Sequence, residues 1–358
     1  MQIVVIGNGA TAVDDAGRCF VNRHTAKFLI DLAGRGAAPT YIEPKAQLRT
    51  NANLQDGELP TSTVRSLPIT KTCVADLWRV GLALWRARLV YIFFPGTLPR
   101  AVARLCRILG KPYALYLRGE QFAVTGRDAD VFRHARFVCS VGGIGDRVRG
   151  LNDQVIPIQP MLDIGRQDAL RRDLSARAPG PWNVLFVGRI ETAKGIPELV
   201  EAAEMLRARG FPFRLSLVGG GPLHDALFRQ YGNDPGAPVR VHGVINNKAA
   251  LDAEYQNADL FILPTHHEGF PRVLYEAMIK STVILTTFVG GIPGLMRSGS
   301  NCIEIPSKNP GAIADAVVSI TADPHKMQGL VDNALSTGIA VLEKHPTHVD
   351  ALVGRIHG

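Results

Sequence analysis

Cysteine is scarce in this sequence and is not arranged for cross-linking. The 358 residues include five cysteines, an odd number, and no two have the Cys-x-x-Cys spacing. They are Cys19, Cys73, Cys106, Cys139 and Cys302. This usage excludes a disulfide framework and a cysteine zinc site. We therefore expect reduced, buried thiols and a cytoplasmic protein.

Long hydrophobic runs are also missing. The longest apolar run near the middle, Leu89 to Phe94, is far shorter than the roughly 20 residues that span a bilayer. It predicts a buried strand. Met1 leads directly into the strand-like residues 2–6, which predicts that no secretory signal precedes the fold.

Acidic residues are few in the first half of the chain. Residues 1–165 contain 21 Lys or Arg and 13 Asp or Glu, a net charge of +8, whereas residues 166–358 contain 19 of each. In residues 71–111 the only acid is Asp76, and Trp78 and Trp85 share a helix face with Leu82. This pattern predicts an anionic partner: phospholipid head groups, a phosphorylated substrate or nucleic acid. In the alternative interpretation the helix packs this face on the core and leaves its basic side solvated.

Short apolar strands alternate with helical patterns along the chain, which predicts α/β architecture with parallel sheets. The proline-rich residues 159–182 interrupt the alternation and are predicted to form a linker. We expect two doubly wound, Rossmann-like domains, residues 1–165 and 166–344, with a helix near 345–358 packing back on the first. Tandem domains of this kind bind ligands in a cleft between the carboxyl ends of their strands.

Residues 264–278 carry the most informative pattern. They follow an apolar strand, turn at Gly269 and begin a helix near Pro271. Free N–H groups at a helix start bind anions, and Glu276 lies about 7 Å further along the axis at 1.5 Å per residue. The stretch therefore predicts a nucleoside diphosphate site, with Glu276 towards the ribose and Glu268 facing the other way.

Two further loops contain glycine at a strand end. The first places Arg189 and Lys194 after Gly188, and two cations there suit a leaving diphosphate. The second is the run Gly219 to Gly221, which lets the backbone approach a ligand.

Two other motifs have weaker interpretations. Residues 7–12 match G-x-G-x-x-A and Glu43 ends the next strand, as in a dinucleotide site. Asp14 and Asp15 would repel a pyrophosphate, so we favour a flexible glycine loop at the cleft.

His266-His267-Glu268 lacks the spacing of H-E-x-x-H, so we predict no metal site.

Together these segments resemble the retaining glycosyltransferases of family 4, which have the two-domain GT-B fold. The resemblance covers about residues 180–310, and Glu268 and Glu276 match the family's E-x7-E pair. It implies that Arg189 and Lys194 neutralise the donor diphosphate and that Glu276 holds the ribose. Glu268 would lie on the sugar side, as a nucleophile or as a group that orients the sugar. The implied donor-binding residues are Gly188, Gly219, Gly221, Val244, Gly269, Phe270, Pro271, Arg272, Val273, Leu274 and Glu276.

One departure from the family concerns catalysis. Many members have a histidine where this chain has Arg118. We expect Arg118 to bind an anionic group of donor or acceptor, or to pair with Glu120 or another acid. Gly7 and Gly9 are predicted to lie on the acceptor side.

The resemblance implies a metal-independent, retaining transferase without a cofactor, which uses a UDP-linked sugar and a lipid-linked or otherwise anionic saccharide acceptor. Such an enzyme would be cytoplasmic or peripheral on the inner face of the membrane, and it would not bind nucleic acid. Alternatives are a GT-B epimerase or phosphorylase, and a non-catalytic subunit that binds nucleotide sugars.

Overall fold

The structure is a computed structural model that describes residues 1–47, 57–70, 74–118, 122–174, 177, 179–232, 237–269 and 271–357. The chain forms two compact units. The first contains Met1–Asp163 and His345–Gly358, and the second contains Ile164–Lys344. The boundary therefore falls two residues before the predicted one.

The described residues form sixteen strands in two sheets. The strands are β1 (Gln2–Ile6), β2 (Thr11–Val13), β3 (Cys19–Val21), β4 (Ala38–Gln47), β5 (Gly57–Leu59), β6 (Arg65–Ile69), β7 (Leu89–Phe94), β8 (Tyr113–Leu117), β9 (Val138–Ser140), β10 (Val155–Pro157), β11 (Trp182–Val187), β12 (Phe213–Val218), β13 (Val239–Gly243), β14 (Leu260–Leu263), β15 (Val283–Thr286) and β16 (Ile303–Glu304). The first sheet has the order β10-β9-β8-β7-β1-β4-β2-β3-β5, with β6 also paired to β4, and the second has the order β13-β12-β11-β14-β15-β16.

The same residues form eleven α-helices. They are α1 (Arg23–Gly34), α2 (Val74–Arg86), α3 (Thr97–Ile108), α4 (Gly126–Arg133), α5 (Ile196–Ala208), α6 (His224–Tyr231), α7 (Lys248–Asn257), α8 (Arg272–Ile279), α9 (Pro310–Thr321), α10 (Pro324–Lys344) and α11 (His348–His357). No helix in the described part of the chain is both long enough and apolar enough to cross a membrane.

Most strand pairs of the first sheet are parallel, as predicted, and a short antiparallel part was not predicted. β3 runs antiparallel to β2 and to β5. The turn between β2 and β3 forms because the Asp14 carboxylate accepts hydrogen bonds from the N–H groups of Ala16 (3.1 Å) and Arg18 (2.8 Å). A strand thus follows the glycine loop where a dinucleotide fingerprint requires a helix, which excludes that interpretation.

Helices cover both faces of the first sheet. One face packs against α2, α3 and α4 through a core that includes Leu84, Val102 and Phe132. The opposite face packs against α1 and α11, where the His348 ring stacks on Phe28 with the ring centroids 4.4 Å apart. Burial lowers the pKa of His348 well below its usual value, and the nearby Arg118 charge adds to this effect.

The second sheet is parallel throughout its six described strands. The 21-residue helix α10, of which residues 324–340 were not predicted, packs on α8 and β15. A Cβ atom at Gly338 would lie 3.2 Å from the Met278 Cβ, so a larger residue would push α10 away from α8. Helix α8 therefore packs closely against α10 at Gly338.

The predicted linker, residues 159–182, belongs mostly to the second unit. Arg172 and Arg177 pair with the buried Asp259 at 3.4 and 3.1 Å. The Leu170 N–H donates to the Ile279 carbonyl at 2.9 Å. The linker prediction is therefore wrong for residues 164–174, which are hydrogen-bonded to the second unit.

Four of the five cysteines lie in the described residues, and all four are free and buried, as predicted. Burial raises the pKa of the Cys106, Cys139 and Cys302 thiols to about 12. Cys73 lies outside the described residues.

Candidate functional site

Four loops of the second unit meet at one edge of its sheet. They follow β11, β12, β14 and β15, and parallel strands place their carboxyl ends at the same edge. The loops also bond to one another: the Gly188 N–H donates to the Val218 carbonyl at 3.0 Å, and the Gly219 N–H donates to Gly243 at 2.7 Å. The predicted donor-binding Gly188, Gly219 and Gly221 therefore lie on two neighbouring loops. Val244, also predicted, follows β13, the strand next to β12, and is 44 % exposed.

Lys194 and Glu268 form an ion pair at this edge. Lys194 ends a short 3-10 turn after β11, and Glu268 lies in the loop after β14. The Lys194 ammonium group donates a hydrogen bond to Glu268 Oε2. The two side chains are only 20 % and 16 % exposed, so the pair is partly shielded from water. The predicted cation and the predicted sugar-side carboxylate are thus in direct contact.

Arg189 has a more exposed environment. Its guanidinium lies 3.1 Å from the Glu191 carboxylate, and the two side chains are 47 % and 23 % exposed. Arg189 therefore remains accessible to solvent although it pairs with Glu191, two residues further along the chain.

The backbone of Glu268 is fixed by the loop after β15. Gly290 has a φ of +57°, a conformation that a residue with a side chain rarely adopts. A Cβ atom at this position would lie 1.6 Å from the Glu268 carbonyl oxygen. The Gly291 N–H also donates to that oxygen at 3.3 Å. Glycine at 290 therefore lets the two loops pack backbone to backbone.

His266 also joins two loops. Its N–H donates to the Ala193 carbonyl at 2.9 Å, and its ring Nε2 lies 2.9 Å from Glu198 Oε1. Both side chains are 16 % exposed. The Ala193 contact holds the Glu268 loop against the loop that carries Lys194, and the Glu198 contact, which was not predicted, attaches the Glu268 loop to α5. Within the described ranges no three His, Cys, Asp or Glu side chains converge in a way that could hold a metal ion.

Glu276 lies in the second turn of α8 and is 7 % exposed. The hydroxyl group of Tyr255, on α7, donates a hydrogen bond to Glu276 Oε2 at 2.7 Å. Sequence reasoning missed Tyr255, which is itself 1 % exposed. The carboxylate therefore has one oxygen oriented by a neighbouring helix.

The other predicted residues of this stretch differ in accessibility. Pro271 precedes the first turn of α8, and Arg272 and Val273 are half-buried. The side chain of Leu274 is fully buried and packs in the core of the unit. The Leu274 N–H donates a hydrogen bond to the Pro271 carbonyl at 3.2 Å. Gly269 is half-buried. Phe270 lies outside the described residues.

The predicted acceptor-side residues form a separate cluster in the first unit. Glu43, in β4, is 3 % exposed and accepts hydrogen bonds from the Gly9 N–H at 2.7 Å and the Thr11 hydroxyl at 3.1 Å. The Gly7 N–H donates to the Ile42 carbonyl at 2.9 Å. The glycine loop is thus held to β4 at both glycines. Burial raises the pKa of Glu43, although the hydrogen bonds from its neighbours and the Arg118 charge oppose this rise.

Arg118 follows β8 at the same edge of the first sheet. Its guanidinium donates to the Asn8 side-chain oxygen at 3.3 Å and lies over the Phe93 ring, 5.2 Å from the centroid. The structure therefore brings Arg118 to the loop that contains Gly7 and Gly9. Glu120, its predicted acidic partner, lies outside the described residues.

The chain has relatives with named activities. Residues 181–323 match the family model for glycosyl transferases group 1. Glycogen synthase of Mycobacterium tuberculosis is 30 % identical over 171 residues, which cover 45 % of this chain and 39 % of that protein. WcaL of Salmonella typhimurium, a glycosyltransferase named for colanic acid biosynthesis, is 31 % identical over 166 residues, with 42 % and 39 % covered. The chain thus spans about two fifths of the length of these relatives.

A solved structure extends the likeness of fold to the whole chain. Anabaena HepE in complex with UDP-glucose superposes with a TM-score of 0.68, covering 99 % of this chain and 100 % of that chain at 14 % identity. The two α/β units therefore have the GT-B fold of glycosyltransferases, as predicted. Residues 181–323, which carry the Lys194–Glu268 pair and Glu276, are thus similar to the glycosyl transferases group 1 family.

Proposed function

We propose that the protein is a retaining glycosyltransferase that transfers a sugar from a UDP-linked donor to a saccharide acceptor in polysaccharide or glycoconjugate synthesis. The proposal rests mainly on three features that lie at one edge of the second sheet. These are the partly buried Lys194–Glu268 pair, the exposed Arg189, and the buried Glu276 carboxylate, which the Tyr255 hydroxyl orients. The group 1 family match and the UDP-glucose held by the HepE structure support a nucleotide sugar as the donor.

In this mechanism Lys194 and Arg189 bind the diphosphate of the donor. Each already has a carboxylate neighbour, so the diphosphate competes with Glu268 and Glu191 for their charge. Charge that develops on the leaving diphosphate is stabilised by fixed cations without a reorganisation of water. A lysine released from Glu268 would also leave that carboxylate free to accept hydrogen bonds from sugar hydroxyls.

Glu276 would hold the ribose. A carboxylate accepts hydrogen bonds from two neighbouring hydroxyl groups, and the Tyr255 hydroxyl fixes its orientation before the donor arrives. The site would operate without a metal ion, since Lys194, Arg189 and the N-terminus of α8 supply the positive charge.

The first unit would bind the acceptor. Arg118, held beside the Gly7–Gly9 loop, provides a guanidinium for a phosphate or carboxylate group. An anionic or lipid-linked saccharide would therefore be favoured over a neutral one. Both the acceptor class and the retaining stereochemistry belong to this proposal.

The test is turnover by Lys194→Ala and Glu268→Ala. We expect each to lower kcat by about 100- to 1,000-fold, the usual effect of removing one preorganised electrostatic group. Lys308→Ala and Glu304→Ala, exposed in the same unit, should retain full activity. Near-normal turnover by the first two variants would refute the proposal. Product analysis with donor alone, and with phosphate in place of acceptor, separates transfer from epimerisation and phosphorolysis.

A further inference from the structure

Three apolar side chains of α2 project into solvent. Trp78 is 76 % exposed, Leu82 is 39 % exposed and Trp85 is 70 % exposed. Their spacing of four and three residues places them on one side of the helix. The opposite side, with Val80 and Leu84, is buried against the first sheet. The interpretation in which the tryptophan side faces the core is therefore wrong.

Helix α3 adds apolar surface beside α2. Ile108 and Leu109, at its end, are 78 % and 53 % exposed. The ammonium group of Lys111 donates a hydrogen bond to the Trp85 carbonyl and so connects the end of α3 to the end of α2. Both helices cover the same face of the first sheet, so their outer sides face the same way. We call Trp78, Leu82, Trp85, Ile108 and Leu109 the tryptophan patch.

Positive charge surrounds the tryptophan patch. Arg79, Arg86 and Arg88 are exposed, and Asp76 is the only acid in residues 74–111. Arg79 lies 3.6 Å from Asp76. Arg86 and Arg88 have no acidic partner among the residues that the structure describes. Exposed aromatic rings with a basic rim are typical of surfaces that bind the interface of anionic membranes.

We propose that the tryptophan patch docks the first unit on an anionic lipid bilayer, with the indole rings at the level of the head groups and the arginines against lipid phosphates. Charge complementarity favours this occupant over a second copy of the chain. Two copies joined through the patch would bring two arginine rims together, and residues 74–111 of each copy supply no acid other than Asp76. A bilayer instead supplies the missing negative charge. This proposal is independent of the proposed transferase activity.

The experiment is co-sedimentation of the full chain with vesicles of phosphatidylglycerol mixed with phosphatidylcholine, and with vesicles of phosphatidylcholine alone. We expect binding to the anionic vesicles that weakens as salt screens the arginines. Trp78→Ala with Trp85→Ala should weaken binding about tenfold or more, because large apolar area no longer leaves water. The triple change Arg79→Gln, Arg86→Gln and Arg88→Gln should weaken it about 100-fold.

The second unit provides matched controls. Arg214→Gln, Arg229→Gln and Arg240→Gln remove the same charge from exposed positions, and Phe228→Ala removes an aromatic ring that is 47 % exposed. These variants should bind as the wild type does. The proposal is overturned if the wild type sediments with neither vesicle, or if the control triple change weakens binding as much as the patch triple change. It is also overturned if sedimentation equilibrium shows a dimer that Trp78→Ala with Trp85→Ala dissociates. Thermal unfolding checks that each variant is folded.

Discussion

Replacing Gly290 by alanine should impair the site while leaving the second unit folded. The new Cβ would lie 1.6 Å from the Glu268 carbonyl oxygen, whereas real Cβ contacts essentially never fall below 3.0 Å. The difference, 3.0 − 1.6, means that one of the two loops must move by about 1.4 Å. The left-handed backbone adds about 1–2 kcal/mol for a residue with a side chain. A shift of about 1 Å in a reacting group can cost about 100-fold in rate, so we expect a loss of that size in kcat/KM.

Alanine substitutions at two other glycines separate the steric clash with Glu268 from the cost of the left-handed backbone. Gly299 has a φ of +75° with nothing within 4 Å of its Cβ position, so Gly299→Ala carries the backbone cost alone. Gly294 has no contact within 4 Å and no positive φ, so Gly294→Ala should change little. Release of nucleotide from the donor measures activity, and urea unfolding measures stability. If Gly290→Ala retains activity within about threefold of Gly299→Ala, the packing of Gly290 does not position Glu268 and the reasoning fails.

The remaining predictions concern buried groups. Tyr255→Phe removes a hydrogen-bond donor from the buried Glu276 carboxylate, so it should lower the free energy of unfolding by about 1.5–3 kcal/mol and weaken donor binding; an unchanged unfolding midpoint in urea contradicts the orienting role. Since the pKa of the buried His348 lies well below its usual value, the unfolded state binds its proton first, and stability should fall as pH decreases through about 6.5, by at most about 1.4 kcal/mol per pH unit. His348→Gln should flatten this dependence between about pH 5 and 7, whereas His267→Gln, at an exposed position, should leave it as it is.

The second unit was more predictable from sequence than the first. Its described strands, apart from the two-residue β16, have four to six residues and are rich in apolar side chains, and glycine directly follows β11 and β12. Segments of this kind mark a parallel sheet clearly. In the first unit β2, β3 and β5 have three residues each, which is too few to show the alternation of buried and exposed side chains that identifies a strand. Strand β6 contains Pro68, a residue that argues against a strand. Helix α10 was missed because Gly329, Gly338 and neighbouring Ser and Thr lower its helix propensity, although its buried positions recur at helical spacing.

For the site, sequence predicted which loops carry the chemistry but not how their side chains pair. Lys194 and Glu268 are separated by 74 residues, and His266 and Glu198 by 68. Tyr255 and Glu276 lie on consecutive helices, and their contact depends on how α7 and α8 pack. Tertiary packing determines which of these side chains meet, and a local sequence pattern does not predict it. Sequence also did not indicate that the Leu274 side chain, at a predicted donor-binding position, is fully buried.

The most direct test of the central claim, that the second unit binds a nucleotide sugar through Lys194, is a calorimetric titration with UDP. The wild type should bind UDP, and Lys194→Ala should raise the Kd about tenfold or more, because a charge-assisted contact with the diphosphate is lost. Phe228→Ala, whose ring is exposed on α6, should bind UDP as the wild type does. The account is contradicted if the folded wild type shows no heat of binding with UDP, ADP or GDP, or if Lys194→Ala binds UDP with unchanged affinity.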